Sequence, residues 1–489
     1  MKKPIQTSAT TRRTFLRNAT FASGGVAAAM GTPALSATRA SARRPNVLMV
    51  CADQFRADFV GAARENPSTR TPNLDALAKR GTLYRNAMSN QPLCSPSRSS
   101  FLTSRYATET GVWKLELEPD HSIPTIADEF RKGGYSAAFI GKWHVSAGVK
   151  PDGTPQKGWI PPGPSRGGFD DLWEGANMLE LISHPDHGSY WNDAGTDIGF
   201  QNEYRVDFLT DRAVSYIEQK HDKPWFLFLS QLEPHHQNDV DQFVAPERYK
   251  QSFVDPFVPR DLRSLQGNWQ SHLPGYYGCV QAIDDCVGRL VETLTKTGQL
   301  ENTVILFFSD HGCTFRTRMG EYKRSPFDSS LRVPFIVAGP GFDQSQTVDE
   351  VVSLLDLAPT LLDAAAIVPP AEMKGRSLLP LVKDSKARSD WDQTVFVQIS
   401  ESMCARTLRT PEWTYVVYDP SVSGRVASNS TKYLEFALYS VSGDPLQTTN
   451  LIGRPGYEAV TATLRAEMLK RIVAAGEPIA QITPQKLYL

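Results

Sequence analysis

Val304-Ile305-Leu306-Phe307-Phe308-Ser309-Asp310-His311-Gly312 decides the architecture of this 489-residue chain. A short apolar run that ends abruptly in Ser, Asp, His and Gly reads as a strand buried on both faces, with a polar loop at its carboxyl end. Three more stretches repeat the arrangement. Val47–Ala52 ends in Asp53-Gln54-Phe55-Arg56-Ala57-Asp58, and Ala137–Ile140 ends in Gly141-Lys142-Trp143-His144. Phe226–Leu229 runs on to Glu233-Pro234-His235-His236-Gln237-Asn238. In open α/β sheets, ligands bind outside the carboxyl ends of the strands. One such tail is ordinary strand-end decoration; four of them predict a site at one sheet edge.

Working outward, short apolar runs alternate with amphipathic segments, the pattern of an α/β fold with a largely parallel sheet sandwiched by helices. Strands are expected at Asn46–Ala52, Ser136–Ile140, Trp225–Gln231, Thr303–Ser309 and Pro334–Ala338, and helices at Asn73–Gly81, Ile123–Lys132, Tyr204–Gln219, Tyr277–Thr297 and Leu354–Ala365. Pro151–Gly168 and Ile182–Phe200 read as long surface loops. After residue 370 the pattern changes: Thr394–Ser400, Trp413–Tyr418, Leu434–Tyr439 and a closing helix Tyr457–Ala475 predict a smaller α+β subdomain with an antiparallel sheet, over 371–489. The catalytic domain is expected over 43–370.

The formal net charge of -1 hides an asymmetric amino terminus. Residues 1–42 carry six of the 52 basic residues and no acid, so the remainder holds 46 against 53, a net of -7. Thr11-Arg12-Arg13-Thr14-Phe15-Leu16-Arg17, then an uncharged Ala/Gly-rich stretch and Ala40-Ser41-Ala42, read as a twin-arginine-type signal peptide with a cleavage site. A periplasmic or secreted protein using the Tat export machinery is expected. The uncharged stretch is too weakly apolar for a stable membrane span, and no basic stripe suits nucleic acid. Six cysteines make no disulfide scaffold in a chain this long. Cys279 and Cys286, about 10 Å apart along a helix, lie beyond disulfide reach.

The polar tails suggest their chemistry. Asp53 and Asp310 offer carboxylates, Gln54 an amide oxygen and His311 an imidazole, an oxygen-dominated set suited to Ca²⁺ or Mg²⁺. Arg98, Lys142 and Lys323 could surround a tetrahedral anion and stabilise its transition state. His144 and His235 are candidate proton carriers, with His236 the competing choice beside His235. Cys94-Ser95-Pro96-Ser97-Arg98 opens a predicted helix, with Pro96 in its first turn and Arg98 one turn from Cys94. Trp173 and Trp191, in polar surroundings, could stack on sugar rings.

Pro92-Leu-Cys-Ser-Pro-Ser-Arg-Ser-Ser-Phe-Leu-Thr-Ser104, with the four tails, resembles the type I (formylglycine-dependent) sulfatase family of the alkaline phosphatase superfamily. The resemblance spans the mature chain and includes Tyr439…Asp444-Pro445…Asn450-Leu451 near its end. It implies an alkaline phosphatase-like fold and 3-oxoalanine (formylglycine) formed from Cys94 by a separate maturation enzyme. It also implies a divalent ion, Ca²⁺ or Mg²⁺, on Asp53, Gln54, Cys94, Asp310 and His311. Arg98 would orient the formylglycine hydrate, and Lys142 and Lys323 would hold sulfate oxygens. His235 would protonate the leaving alcohol with help from Lys323, and His144 would take the proton that lets sulfate depart. His236 and Trp191 are added as substrate contacts. Asp53-Gln54 and Asp310-His311, where many members carry Asp-Asp and Asp-Asn, are similar to the branch that includes choline sulfatases and phosphonate monoester hydrolases.

The leading expectation is an exported sulfatase acting on a sulfated carbohydrate. The alternatives are a phosphonate or phosphate diester hydrolase of the same superfamily, or a non-catalytic glycan-binding relative if Cys94 stays a thiol.

Overall fold

A computed structural model describes residues 44–150 and 153–485. The predicted signal peptide over 1–42 lies outside the described residues. From Arg44 onward the chain forms one compact unit.

A nine-stranded mixed sheet organises that unit. Five strands run parallel side by side in the order Leu172–Ala176, Ser136–Lys142, Trp225–Ser230, Asn46–Ala52, Thr303–Ser309. Phe335–Ala338 then pairs antiparallel with both Thr303–Ser309 and Thr82–Met88, and Gln346–Ser353 pairs parallel with Thr82–Met88. The four strands whose tails predicted the site are therefore adjacent, and their carboxyl ends meet.

Two cores follow from strand alternation. In the central strand, Leu48 and Val50 face the helices Pro72–Arg80, Arg205–Glu218 and Trp269–Lys296. Val47, Met49 and Cys51 face Cys94–Thr103, Ile126–Lys132 and Leu357–Ala364. All seven residues of Asn46–Ala52 and of Thr303–Ser309 are buried. Each large side chain in them contributes about 1.5–3 kcal/mol of transfer free energy, and this explains the apolar runs Val47–Ala52 and Val304–Phe308.

Several expectations need correction. The long helix begins at Trp269 rather than Tyr277 and runs through Pro274. Gly275 lets it press on the neighbouring segment, since a Cβ there would lie 2.0 Å from the Phe243 carbonyl oxygen. The Ile182–Phe200 stretch is no simple loop: Ser183–His184, His187–Gly188 and Phe200–Gln201 form a small sheet. Thr82–Met88, Leu172–Ala176 and Gln346–Ser353 are strands that the sequence reading missed, because Arg85, Asn86, Glu174, Asp349 and Glu350 interrupt their apolar pattern.

The small sheet has five strands, from Val395–Ile399 to Gln481–Thr483, with the helix Glu458–Ala474 packed on it. Its Cys404–Arg409 strand also escaped the sequence reading, because it buries Arg406 in an ion pair with Glu477 at 2.9 Å. The Asp444…Asn450 segment is a structural clamp. Asp444 accepts the Thr448 and Thr449 amides, while Asn450 Oδ1 accepts the Leu438 and Ile452 amides. The segment preceding this sheet still belongs to the main core, through Leu381 and Val382.

Candidate active site

Cys94 is the first residue of the Cys94–Thr103 helix, all ten residues of which are buried. Its Sγ accepts from Lys323 Nζ at 2.8 Å and lies 3.3 Å from His311 Nε2, while the thiol points to Asp53 Oδ1 at 3.7 Å. Burial alone would raise this thiol's pKa; Lys142, Lys323 and His311 override it and hold the group well below its usual value. The site is thus built to carry negative charge at position 94.

Arg98, one turn on, does not reach Cys94. Its guanidinium ties the neighbouring tails together, donating to Asp53 Oδ2 and Asp310 Oδ2 at 3.2 Å each, to the Lys142 carbonyl at 3.0 Å and to Ser230 Oγ at 2.7 Å. Fully buried, it is an internal crosslink between the carboxyl ends of the adjacent strands.

Lys142 ends its strand and lies between two carboxylates, Asp53 Oδ2 at 2.8 Å and Glu180 Oε1 at 3.0 Å. Gly141 before it has φ +119°, and a Cβ there would meet the Ser230 carbonyl oxygen at 2.0 Å. The strands can approach closely only with glycine at this position. His144 has φ +56° and Gln54 φ +70°. Left-handed backbone at non-glycine residues is strained by roughly 1–3 kcal/mol and clusters at functional sites.

Glu180 is the residue that sequence reasoning missed. It follows a fifth strand, Leu172–Ala176, which ends at the same edge, and its Oε1 also lies 3.2 Å from His144 Nδ1. Burial would raise its pKa, but Lys142, His144 and His235 hold it at about 2, so it is a carboxylate. The signal was a fifth apolar run with a polar tail, obscured by Glu174 and Gly175 within the run.

The two histidines of His235-His236 separate clearly. His235 Nδ1 bonds to the His236 carbonyl at 2.6 Å, leaving Nε2 to accept from Lys323 Nζ at 3.1 Å. Burial and the Lys323 charge push His235 down to about 4. His236 turns away: its Nε2 lies 2.7 Å from Asp241 Oδ1 and its ring lies against Tyr322, although it still lines the cavity mouth. The loop is anchored below by a buried Arg205–Glu233 ion pair at 2.7 Å. The cavity, about 290 Å³, is lined by Gln54, His144, Glu180, His235, Tyr322 and Lys323 among others.

Trp191 and Trp173 are not brought to this cavity. Trp191 is half-buried against the core beneath the helices, and its backbone bridges Gly175 and Asp197. Trp173 is fully buried within a strand, stacked on Phe139. Their polar neighbours made both look like loop residues. All six cysteines are free and buried.

The donor set fits a divalent cation. Ligand atoms of Asp53, Cys94, Asp310 and His311 all lie within 4.8 Å of one another and all four residues are buried. Burial and the adjacent Asp53 push Asp310 up to about 6, which marks a carboxylate pair that a cation would relieve. His311 Nδ1 bonds to the Gly312 carbonyl at 2.9 Å, freeing Nε2 for a ligand. Gln54 Nε2 donates to Cys313 Sγ at 3.3 Å, leaving the amide oxygen as the available donor. Oxygen-rich donors suit a hard ion.

Comparison with known proteins identifies the family. The Sulfatase family model matches residues 45–367, and the model of the N-sulphoglucosamine sulphohydrolase C-terminal region matches 320–474. The chain belongs to the sulfatase family, within the alkaline phosphatase superfamily, and is a sulfuric ester hydrolase. It is 28% identical over 452 residues to an ulvan-active sulfatase of Formosa agariphila, covering 89% of this chain and 82% of that one. It is also 28% identical over 478 residues to a choline-sulfatase of Rhizobium meliloti, covering 86% and 85%. A Bacteroides thetaiotaomicron structure, solved in work on the metabolism of multiple glycosaminoglycans, shares the fold with TM-score 0.75 at 24% identity, over 89% of this chain and 97% of its own.

Proposed function

We propose that the protein is an exported sulfatase that removes sulfate esters from a sulfated carbohydrate, with residue 94 oxidised from cysteine to formylglycine. The observation that carries this reading is the convergence of Lys323, His311 and Asp53 on Cys94 Sγ at 2.8, 3.3 and 3.7 Å. Asp53, Gln54, Asp310, His311 and residue 94 would hold a divalent ion, with Ca²⁺ favoured over Mg²⁺. Such an ion would polarise the sulfate and lower the pKa of a nearby hydroxyl. Hydrated formylglycine at residue 94 would supply one hydroxyl to attack sulfur and a second to expel sulfate by elimination.

The chain's own residues then have distinct tasks. Lys142 and Lys323 hold the sulfate oxygens and offset the charge that develops on them. The His235–Lys323 pair delivers a proton to the leaving alcohol; His235, pushed down to about 4, is a neutral ring near pH 7 and accepts from Lys323 Nζ. His144 receives the proton released when sulfate departs, and Glu180 steadies both His144 and Lys142. Arg98 keeps Asp53 and Asp310 in register.

A carbohydrate substrate is supported by the relative that acts on ulvan and by the amino-terminal export pattern. The test is sulfate release from a panel of sulfated oligosaccharides, beside choline sulfate and a phosphonate monoester, using protein matured by a formylglycine-generating enzyme. Fastest turnover of a sulfated sugar is expected. Preference for the phosphonate, or for choline sulfate, would overturn the substrate assignment.

A further inference from the structure

We propose that a second cavity, of about 670 Å³, binds a sulfate- or carboxylate-bearing unit of the anionic saccharide chain that another unit presents to the catalytic cavity. This rests on the carbohydrate reading above. The loop from Arg316 to Arg324 is the shared wall: Arg316 and Lys323 line the catalytic cavity, whereas Arg318 lines the second one.

The charge inventory is unequal. Each carboxylate lining the second cavity is already held by an arginine. Arg56 takes Asp58 and Asp261 at 2.8 and 2.9 Å, Arg332 takes Glu65 at 2.6 Å, and Arg409 takes Asp328 at 3.1 Å. Arg64, Arg260 and Arg318 line the same cavity with no carboxylate in ion-pair contact among the described residues. Arg318 is the informative one. It is half-buried, among the described residues donates only to the Gln447 carbonyl at 3.0 Å and to the Leu446 carbonyl, and stacks on Phe327 at 4.5 Å. Burial lowers its pKa, opposed only at a distance by the Asp261 and Asp444 charges. The carbonyl wall that fixes it is itself braced, since Gln447 accepts the Asp328 amide and donates to Thr414 Oγ1. A preorganised guanidinium with spare N–H groups suits a sulfate or carboxylate. Pro67, Phe257 and Pro259 add apolar wall for a sugar face. A chain of net charge -7 after its leader gives no general attraction for a polyanion, so local sites of this kind must provide it.

Binding of a short dextran sulfate fragment, followed by calorimetry at fixed salt, tests the proposal. Arg318→Gln and, separately, the exposed pair Arg64→Gln/Arg260→Gln should each weaken binding about tenfold. Both should leave turnover of para-nitrophenyl sulfate unchanged. Lys220→Gln/Lys223→Gln, the same charge change at the opposite sheet edge, should have little effect. Equal weakening by that control pair, or none by the cavity variants, would overturn the proposal. Inorganic sulfate offers the same chemistry as a free ion; affinity equal to that of the fragment would assign the cavity to the ion and not to a chain. Because binding is read apart from turnover, an inactive enzyme that still loses binding in the cavity variants would fault the catalytic reading alone.

Discussion

At the residue scale, two positions outside the sulfatase signature carry consequences. Glu180 touches both Lys142 and His144, so it acts on the chemistry through them. Glu180→Gln should lower kcat about tenfold or more while shifting KM less, with Glu180→Asp recovering part of the loss; the kcat and KM split from initial rates checks this. A KM effect alone would make Glu180 a substrate contact. Cys313 is the other position. Burial pushes its thiol up to about 11, so it stays neutral and accepts from Gln54. Removing such an outer partner typically weakens metal binding about 10–100-fold, and Cys313→Ala should do so for Ca²⁺, read by equilibrium titration of metal-stripped protein.

At the element scale, the long helix Trp269–Lys296 caps another helix. Asp284 accepts the Asn73 and Leu74 amides at the start of Pro72–Arg80, at 3.2 and 2.7 Å. Burial nonetheless raises its pKa from 3.8 to about 6. A raised carboxyl pKa means the folded state binds the proton more tightly. Its contribution is complete below pH 3.8 and is lost as pH rises through about 6. Asp284→Asn cannot ionise. Its stability relative to wild type should therefore improve by roughly 2.4 kcal/mol between pH 4 and pH 7, seen by urea unfolding at both pH values. A constant difference would contradict the assignment.

The sequence was most legible where one force dominates. Within Asn46–Ala52 and Thr303–Ser309 the runs Val47–Ala52 and Val304–Phe308 are apolar because they are buried on both faces, and the strand bounds match the expectation. It was least legible where burial is shared with charge. Leu172–Ala176 carries Glu174, which Arg212 engages, and Cys404–Arg409 hides Arg406 against Glu477. Neither partnership is visible in a linear pattern. The same limit hid Glu180, whereas Asp53, Lys142, His235 and Asp310 each follow an unbroken apolar run. His235 and His236 could be told apart only by the partners that the fold supplies.

At the whole-molecule scale, the account joins an amino-terminal export pattern, a sulfatase fold and a pocket that stabilises negative charge at position 94. The fold brings five strand ends together, so Asp53, Cys94, Lys142, His235 and Lys323 lie in one cluster although the chain separates them widely. Residues 43–489 are acidic overall, with 46 basic against 53 acidic residues. Arg316 and Lys323 line the catalytic cavity and Arg318 its neighbour, local cations for the anionic substrate proposed above. Among the described residues no helix is long and apolar enough to cross a membrane.

All of this turns on what residue 94 becomes. Peptide mass spectrometry across Cys94, on protein purified from its native host, tests it most directly. The account predicts a peptide about 18 Da lighter than the cysteine form, the mass change of thiol to aldehyde. An unmodified thiol in that material would contradict the proposed mechanism.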